Sequence, residues 1–321
     1  MKDGVSLIVV NYFSEKYIEP LIESIMKDLD IKNIEFIIVN NSKPSFSWSK
    51  DFIEQNNIRF IDSGGNVGFA RAVNLGVKES KYSFFCMMNP DIQVDDGKFL
   101  NELYNFFLQQ DRSVGAISPL VKNEHGIIQT SYFLGGSLKK WPFFKNLIVN
   151  NLLKRRVKRD FKHRFLDFSK PIEVTGFWGI FVMLRKEAFL DVGGFDPDFF
   201  MYSEDVELFR HRFSKKYKSI LYPYVSIVHF GSKTDRYDLM EHQSQVSYLL
   251  YLRKEGNYYL FTFVIILSIR YLMILLLSKK DSSKKEARGF FKSLKYLKTI
   301  LKYPRGYGVL PNCLKVDEIP D

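Results

Sequence analysis

A chain of 321 residues that is 46% hydrophobic and 26% charged holds enough apolar material for one large core or two smaller ones, which excludes an intrinsically disordered protein. Its two cysteines, Cys86 and Cys313, lie far apart and form no CxxC pair, which argues against a disulfide framework or a structural zinc and suits a reducing compartment. The net charge of +11 is concentrated in residues 139–164 and 279–302, so an anionic partner, membrane or nucleic acid, is expected there, while the rest of the chain is mildly acidic.

The run Val5–Val10 is too short for a signal peptide and reads as a first strand ending at Asn11-Tyr12, consistent with a cytosolic protein. Helical spacing of Ile18, Leu21, Ile22, Ile25 and Leu29 predicts a helix over 15–29. A second strand, 35–39, ends at Asn40-Asn41-Ser42. A helix over 48–55 and a strand over 58–61 lead to the loop Asp62–Gly68, which opens a helix over 69–79. This alternation predicts a doubly wound, mostly parallel α/β sheet. Neither GxGxxG nor the Lys-Ser/Thr of a P-loop is present, which excludes a Rossmann dehydrogenase and a P-loop NTPase. Gly64, Gly65 and Gly68 could bring backbone N–H groups to a phosphate, with Arg71 one turn inside the helix, or could simply reverse the chain.

The continuous apolar run Phe84–Met88 predicts a strand covered on both faces, ending at Asn89-Pro90-Asp91. Strand ends are where open α/β sheets bind ligands, so this triplet reads either as a plain turn or as a carboxylate set for a divalent cation. A helix over 98–109, a strand over 114–118 and a turn at 123–126 follow. Next comes a basic insertion at about 133–168, whose aromatic residues suit either a headgroup layer or single-stranded nucleic acid. Residues 174–185 read as a strand broken by glycine, Gly193-Gly194-Phe195-Asp196 as a turn, Glu204-Asp205 as a helix start, and 227–229 as a late strand ending at His229.

In this order the pieces resemble the rhamnosyltransferase-like branch of glycosyltransferase family 2, inverting nucleotide-sugar enzymes with the GT-A fold, over about residues 4–235. The motifs that carry the resemblance are Val10-Asn11-Tyr12, Val39-Asn40-Asn41-Ser42, Asn66-Val67-Gly68-Phe69, Asn89-Pro90-Asp91, Gly193-Gly194-Phe195-Asp196, Glu204-Asp205 and His229. It implies that Asn11, Asn41, Gly65, Asn66, Gly68, Arg71 and Asn89 surround the nucleotide. It also implies that Asp91 and His229 hold Mg²⁺ or Mn²⁺, and that Glu204-Asp205 supply the catalytic base, with Asp205 favoured. Two departures from the family pattern are Asn40 and Asn89, each standing where an aspartate is usual. The implied donor is dTDP-L-rhamnose, with UDP-sugars such as galactose, galactofuranose or N-acetylglucosamine as alternatives. The implied acceptor is a lipid-linked or growing cell-surface polysaccharide such as an O-antigen or capsule. A nucleic-acid-binding protein or an inactive membrane scaffold are the rival classes.

Residues 1–240 are thus expected to form the catalytic domain and 241–321 a helical membrane-associating region. Tyr258–Leu277 is twenty residues long, with Arg270 as its only charge and basic residues at both ends, a pattern better suited to lying in an interface than to crossing it. The apolar residues Phe290 to Leu301 alternate with lysines at helical spacing, as in a surface helix facing anionic lipid. A peripheral location on the cytoplasmic face of the membrane follows.

Overall fold

The computed structural model describes residues 2–43, 48–134, 166–231, 237–308, 312–317 and 319. Of the basic insertion at about 133–168, residues 135–165 lie outside the described residues. The elements in chain order are β1 (Lys2–Asn11), α1 (Glu15–Met26), β2 (Ile34–Asn40), α2 (Lys50–Gln55), β3 (Ile58–Asp62), α3 (Phe69–Glu79), β4 (Tyr82–Met88), β5 (Ile92–Gln93) and α4 (Lys98–Leu108). They continue with β6 (Val114–Lys122), β7 (Tyr132–Phe133), β8 (Ile172–Val174), β9 (Gly176–Phe177), β10 (Phe181–Arg185), α5 (Lys186–Asp191) and α6 (Glu204–Glu207), then a π-helical turn Leu208–Arg212 and β11 (Lys218–His229). The chain then forms α7 (Tyr237–Glu255), α8 (Asn257–Leu277), α9 (Asp281–Ser293) and α10 (Leu297–Ile300).

Nine strands form one sheet in the order β3-β2-β1-β4-β10-β6-β11-β5, with β8 also on β11. The first four are parallel, and β10 enters antiparallel between β4 and β6. Strands β1, β2 and β4 are buried almost throughout, as their unbroken apolar runs require. One face of the sheet packs on Ile18, Leu21, Ile22 and Ile25 of α1 and on Leu100, Leu103 and Phe107 of α4. The other packs on Ala72, Val73 and Val77 of α3 and on Phe189 and Phe195.

That second core does not stop at the sheet. It continues through Val246, Leu249 and Leu250 of α7, Leu260, Phe263 and Leu267 of α8, and Ala287 and Phe290 of α9, and ends at Leu314, Val316 and Ile319. The C-terminal helices therefore share a core with the sheet and α3. Helix α8 has two apolar faces. Leu260, Phe263, Leu267, Tyr271 and Ile274 are buried, whereas Phe261, Ile265, Ile269, Leu272 and Leu276 form an exposed stripe with spacings of three and four residues. It is the only helix among the described residues long and apolar enough to cross a membrane, and a third of its most apolar window is buried against the protein.

Candidate active site

Strand register assembles the first half of the site. β4 ends at Met88, the Asn89 N–H donates to the Ile180 carbonyl (2.9 Å), and Pro90 turns the chain into β5. β5 pairs antiparallel with the end of β11, Ile92 opposite His229, and the Phe230 N–H donates to the Asp91 carbonyl. Two residues 138 positions apart thereby meet, with His229 Nε2 3.5 Å from Asp91 Oδ1 and both side chains partly accessible. Gln129 orients the imidazole. Its Nε2 donates to the His229 carbonyl (3.2 Å), which leaves Oε1 to accept from Nδ1–H (3.1 Å), so the Nε2 lone pair faces Asp91. One imidazole nitrogen and one carboxylate, with the other ring nitrogen tied back, form a donor set that fits Mn²⁺ or Mg²⁺. Among the described residues no group of three or more His, Cys, Asp or Glu could enclose a metal ion. A cation here would therefore take its remaining ligands from water and from a phosphate-bearing ligand, the usual way Mg²⁺ is held.

The second half is set by an unusual turn. After Gly193 and Gly194, both at positive φ, the chain reaches Tyr202 (φ 70°) and Ser203 (φ 66°), consecutive non-glycine residues in left-handed backbone, and then opens α6. Two such residues store strain, roughly 1–3 kcal/mol each, that the surroundings must hold in place. Glu204 is buried, with Oε2 lacking a hydrogen-bond partner among the described residues, and Asp205 is half-buried. The Asp205 carboxylate accepts from the Gly179 N–H (3.1 Å) and the Val206 N–H (2.7 Å). Burial pushes its pKa up to about 6, the two N–H donors and Arg210 acting in the opposite sense. Glu204 is driven well above the usual carboxylate range, first by burial and then by the charge of Asp205. The pair thus divides into an inner acid whose charged form burial opposes and a more accessible outer carboxylate whose pKa is pushed up to about 6.

The segment Trp178–Ile180 joins the halves. The Ile180 carbonyl meets Asn89, the Gly179 N–H meets Asp205, and Gly179 packs against the Phe69 ring at the start of α3, so close that a Cβ would stand 3.3 Å from it. The sequence reads this stretch as a strand interrupted by glycine. Here it is the junction of three motifs.

The residues expected around the nucleotide make contacts of their own within the protein. Asn11 is fully buried and saturated, its amide donating to Glu15 (2.7 Å) and Asn40 (2.8 Å) and its oxygen accepting twice from Ser14. Asn41 is likewise buried, bonding the Gly68 carbonyl and the Ser63 hydroxyl. Both brace the strand ends. Part of the glycine loop's N–H set is engaged within the protein. Gly64 donates to Asp62, Gly68 to Asn66, and Phe69, at the helix start, to the Phe200 carbonyl. Gly68, at φ 84°, has the Phe200 carbonyl 2.3 Å from where a Cβ would be, so only glycine allows this approach. Asn66 is thus a loop brace, Gly65 lies beneath the exposed Lys43, whose Nζ is 3.0 Å from the position of its absent Cβ, and Arg71 Nε donates to the Pro197 carbonyl. Lys43 and Gln129 were missed by sequence reasoning. Lys43 could have been found as the first charge after the β2 end, but Gln129 belongs to no motif.

The family model for glycosyl transferase family 2 matches residues 6–193. The chain belongs to glycosyl transferase family 2. It is 29% identical over 212 residues to the low-salt glycan biosynthesis hexosyltransferase of Haloferax volcanii, covering 64% of this chain and 61% of that one. It is 22% identical over 265 residues to the N-acetylglucosaminyl-diphospho-decaprenol L-rhamnosyltransferase of Mycobacterium tuberculosis, covering 75% and 81%. The chain spans less than two thirds of the length of several curated relatives, 61%, 44% and 47% in three cases. In fold it is similar to a mannosyltransferase from Pyrobaculum calidifontis crystallised with GDP-Man and Mn²⁺, with a TM-score of 0.50 and 14% identity over 92% of this chain and 87% of that one. The family 2 chain thus has the GT-A fold, a mostly parallel sheet between helices, with a helical C-terminal region.

Proposed function

We propose that this family 2 protein is a metal-dependent inverting glycosyltransferase that moves a hexose, L-rhamnose from dTDP-L-rhamnose in the most specific reading, onto a lipid-linked or growing cell-surface glycan. The observation that carries the reading is that the Asp91–His229 pair and Asp205 are both tied to the segment Trp178–Ile180, through Asn89 and through the Gly179 N–H. Asp91 and His229 would hold Mn²⁺ or Mg²⁺, which neutralises the charge of the departing nucleoside diphosphate. Asp205 accepts the acceptor's hydroxyl proton as that oxygen attacks C1, the bond to the diphosphate breaking on the far side. One carboxylate suffices for single displacement. Its raised pKa matches a base that must both stay ionised near neutrality and accept a proton. Asn89, Gly65, Asn66, Gly68 and Arg71 shape the donor pocket, with Asn11 and Asn41 as its buried frame. Rhamnose is favoured by the names of relatives in Mycobacterium tuberculosis and Escherichia coli.

A cytoplasmic, peripheral position on the membrane accompanies this reading. The exposed apolar stripe of α8, followed by Lys280, Lys284 and Lys285 around the start of α9, combines apolar and cationic signals, and two signals make attachment stable where one is marginal. The deciding experiment is a panel of dTDP-L-rhamnose, UDP-galactose, UDP-galactofuranose and UDP-N-acetylglucosamine, with Mn²⁺ and a lipid-diphosphate-linked sugar. Release of nucleoside diphosphate that requires both metal and acceptor is expected with one donor. Release with a UDP-sugar alone replaces rhamnose, and release with none rejects the enzymatic reading.

A further inference from the structure

Lys254 is the best-buried cation among the described residues outside the site. Its ammonium lies 2.9 Å from Asp196 Oδ2 and 2.5 Å from Asp198 Oδ2, and all three side chains are fully buried. It stands on the last turn of α7, while the two aspartates belong to the turn after Gly193-Gly194. Its neighbour Glu255 is also buried and reaches the other side of α6, with Oε1 2.5 Å from His211 Nε2. His211 lies 3.7 Å from Glu207, which is paired with Arg212. Arg212 in turn donates to the Val192 and Gly194 carbonyls, closing the circuit.

We infer that the last turn of α7 is the positioning device for the catalytic base, with Lys254 and Glu255 gripping the chain before and after Glu204-Asp205. The inference rests on the reading of Asp205 as base. Between the two grips lie the left-handed residues Tyr202 and Ser203, and a strained pair keeps its conformation only where flanking contacts fix it. Other contacts converge on the same stretch. The Met201 carbonyl accepts from Ser247 of α7 (2.7 Å), and the Asp198 carbonyl accepts from Leu314 of the C-terminal tail (2.8 Å). The donor loop has its own braces in Ser63 and Asn41 and meets the gripped stretch where the Phe69 N–H donates to the Phe200 carbonyl and Arg71 to the Pro197 carbonyl, so release of the grip acts on the base first and reaches the donor side only through these contacts. Buried ion clusters are often replaceable by neutral groups of similar shape without loss of folding. The value of this one therefore lies in where it holds the chain.

The test compares the charge-free variant Lys254→Met/Asp196→Asn/Asp198→Asn with Gly308→Ala and with Asp205→Asn. In Gly308→Ala every charge is kept but a Cβ would lie 1.6 Å from Asp198 Oδ2, displacing it from Lys254. Circular dichroism establishes folding, and turnover is read with the panel donor that the wild type uses. At least a tenfold fall in kcat is expected in the folded variants, with the Kd for dTDP or UDP plus Mn²⁺ unchanged within threefold. Hydrogen exchange should quicken in residues 199–207 and at the Phe69 amide that the Phe200 carbonyl holds, and stay unchanged in 72–77. If one variant fails to fold, the other decides. A folded variant with kcat within twofold of wild type and unaltered exchange overturns the inference. Full activity in Asp205→Asn would instead overturn the base assignment on which it rests.

Discussion

The two acidic sites of this chain are built by different means. Asp91 stands at the end of a fully buried strand and meets His229 through backbone pairing of β5 with β11. Glu204 and Asp205 stand on a four-residue helix after a strained turn, fixed by side chains from α7 and the π-helical turn and by the Gly179 N–H. A strand end is written locally, as an apolar run followed by Asn-Pro-Asp, and tolerates change in its surroundings. The base end hangs on side-chain pairs and a strained turn instead of on strand pairing, so it should be the more fragile of the two.

The sharpest break in that comparison is Asp91→Ala. Asp91 supplies the one carboxylate of the proposed cation pair, so Mn²⁺-dependent donor binding should be abolished, read as loss of the Mn²⁺-dependent thermal shift with sugar nucleotide. A variant that keeps that shift sinks the assignment. Asp205→Asn comes next. It is nearly isosteric and removes only the basic oxygen, so kcat should fall by roughly a hundredfold or more while donor and metal binding persist. A larger loss in Glu204→Gln would transfer the role. The pH profile sharpens the point. The working form is the carboxylate, and the folded pKa is raised to about 6, so kcat should fall as pH drops through about 6 instead of near 4. An acid limb near 4 would contradict the burial argument.

The same contrast explains what could be read in advance. The strands, the helix over 69–79 and the placing of Asp91 follow from period and punctuation, because an unbroken apolar run can be buried only in the middle of a sheet. The surroundings of Asn11 were not legible, because a polar residue at a strand end looks the same whether it faces ligand or, as here, is saturated by Ser14, Glu15 and Asn40. Gln129 and Lys254 were invisible for the opposite reason, since each acts only through a residue brought to it by the fold. The helical region after 240 was legible as amphipathic, but its integration into the catalytic core was not, because the apolar residues that make a helix interfacial also suit it to a core.

A smaller effect is expected at the membrane-facing side. Replacing Ile265, Ile269 and Leu272 of the exposed stripe with serine leaves the buried face of α8 intact, so folding and transfer to a water-soluble acceptor should persist. At about 1.5–3 kcal/mol per large apolar side chain withdrawn from water, sedimentation with anionic vesicles should drop severalfold or more. Unchanged sedimentation would remove the stripe from the account of membrane attachment.

The finest test lies within the cation pair. Gln129 touches no proposed substrate. It accepts from His229 Nδ1 and, with its amide, holds the His229 carbonyl, so its part is to choose the tautomer that leaves Nε2 open toward Asp91. Gln129→Leu fills a similar volume but cannot accept that proton, and either tautomer becomes available. His229→Ala removes the nitrogen altogether and should weaken Mn²⁺ more. Partners that orient a metal-bound histidine are worth 10- to 100-fold in affinity, and this one, an uncharged amide at 3.1 Å, should lie at the lower end, about tenfold. The loss should appear as a higher Mn²⁺ concentration for half-maximal activity, with kcat restored at saturating metal. A kcat that stays depressed in excess Mn²⁺ would mean that Gln129 acts on the donor directly, and a wild-type Mn²⁺ requirement would mean that the strand register alone holds His229 in place.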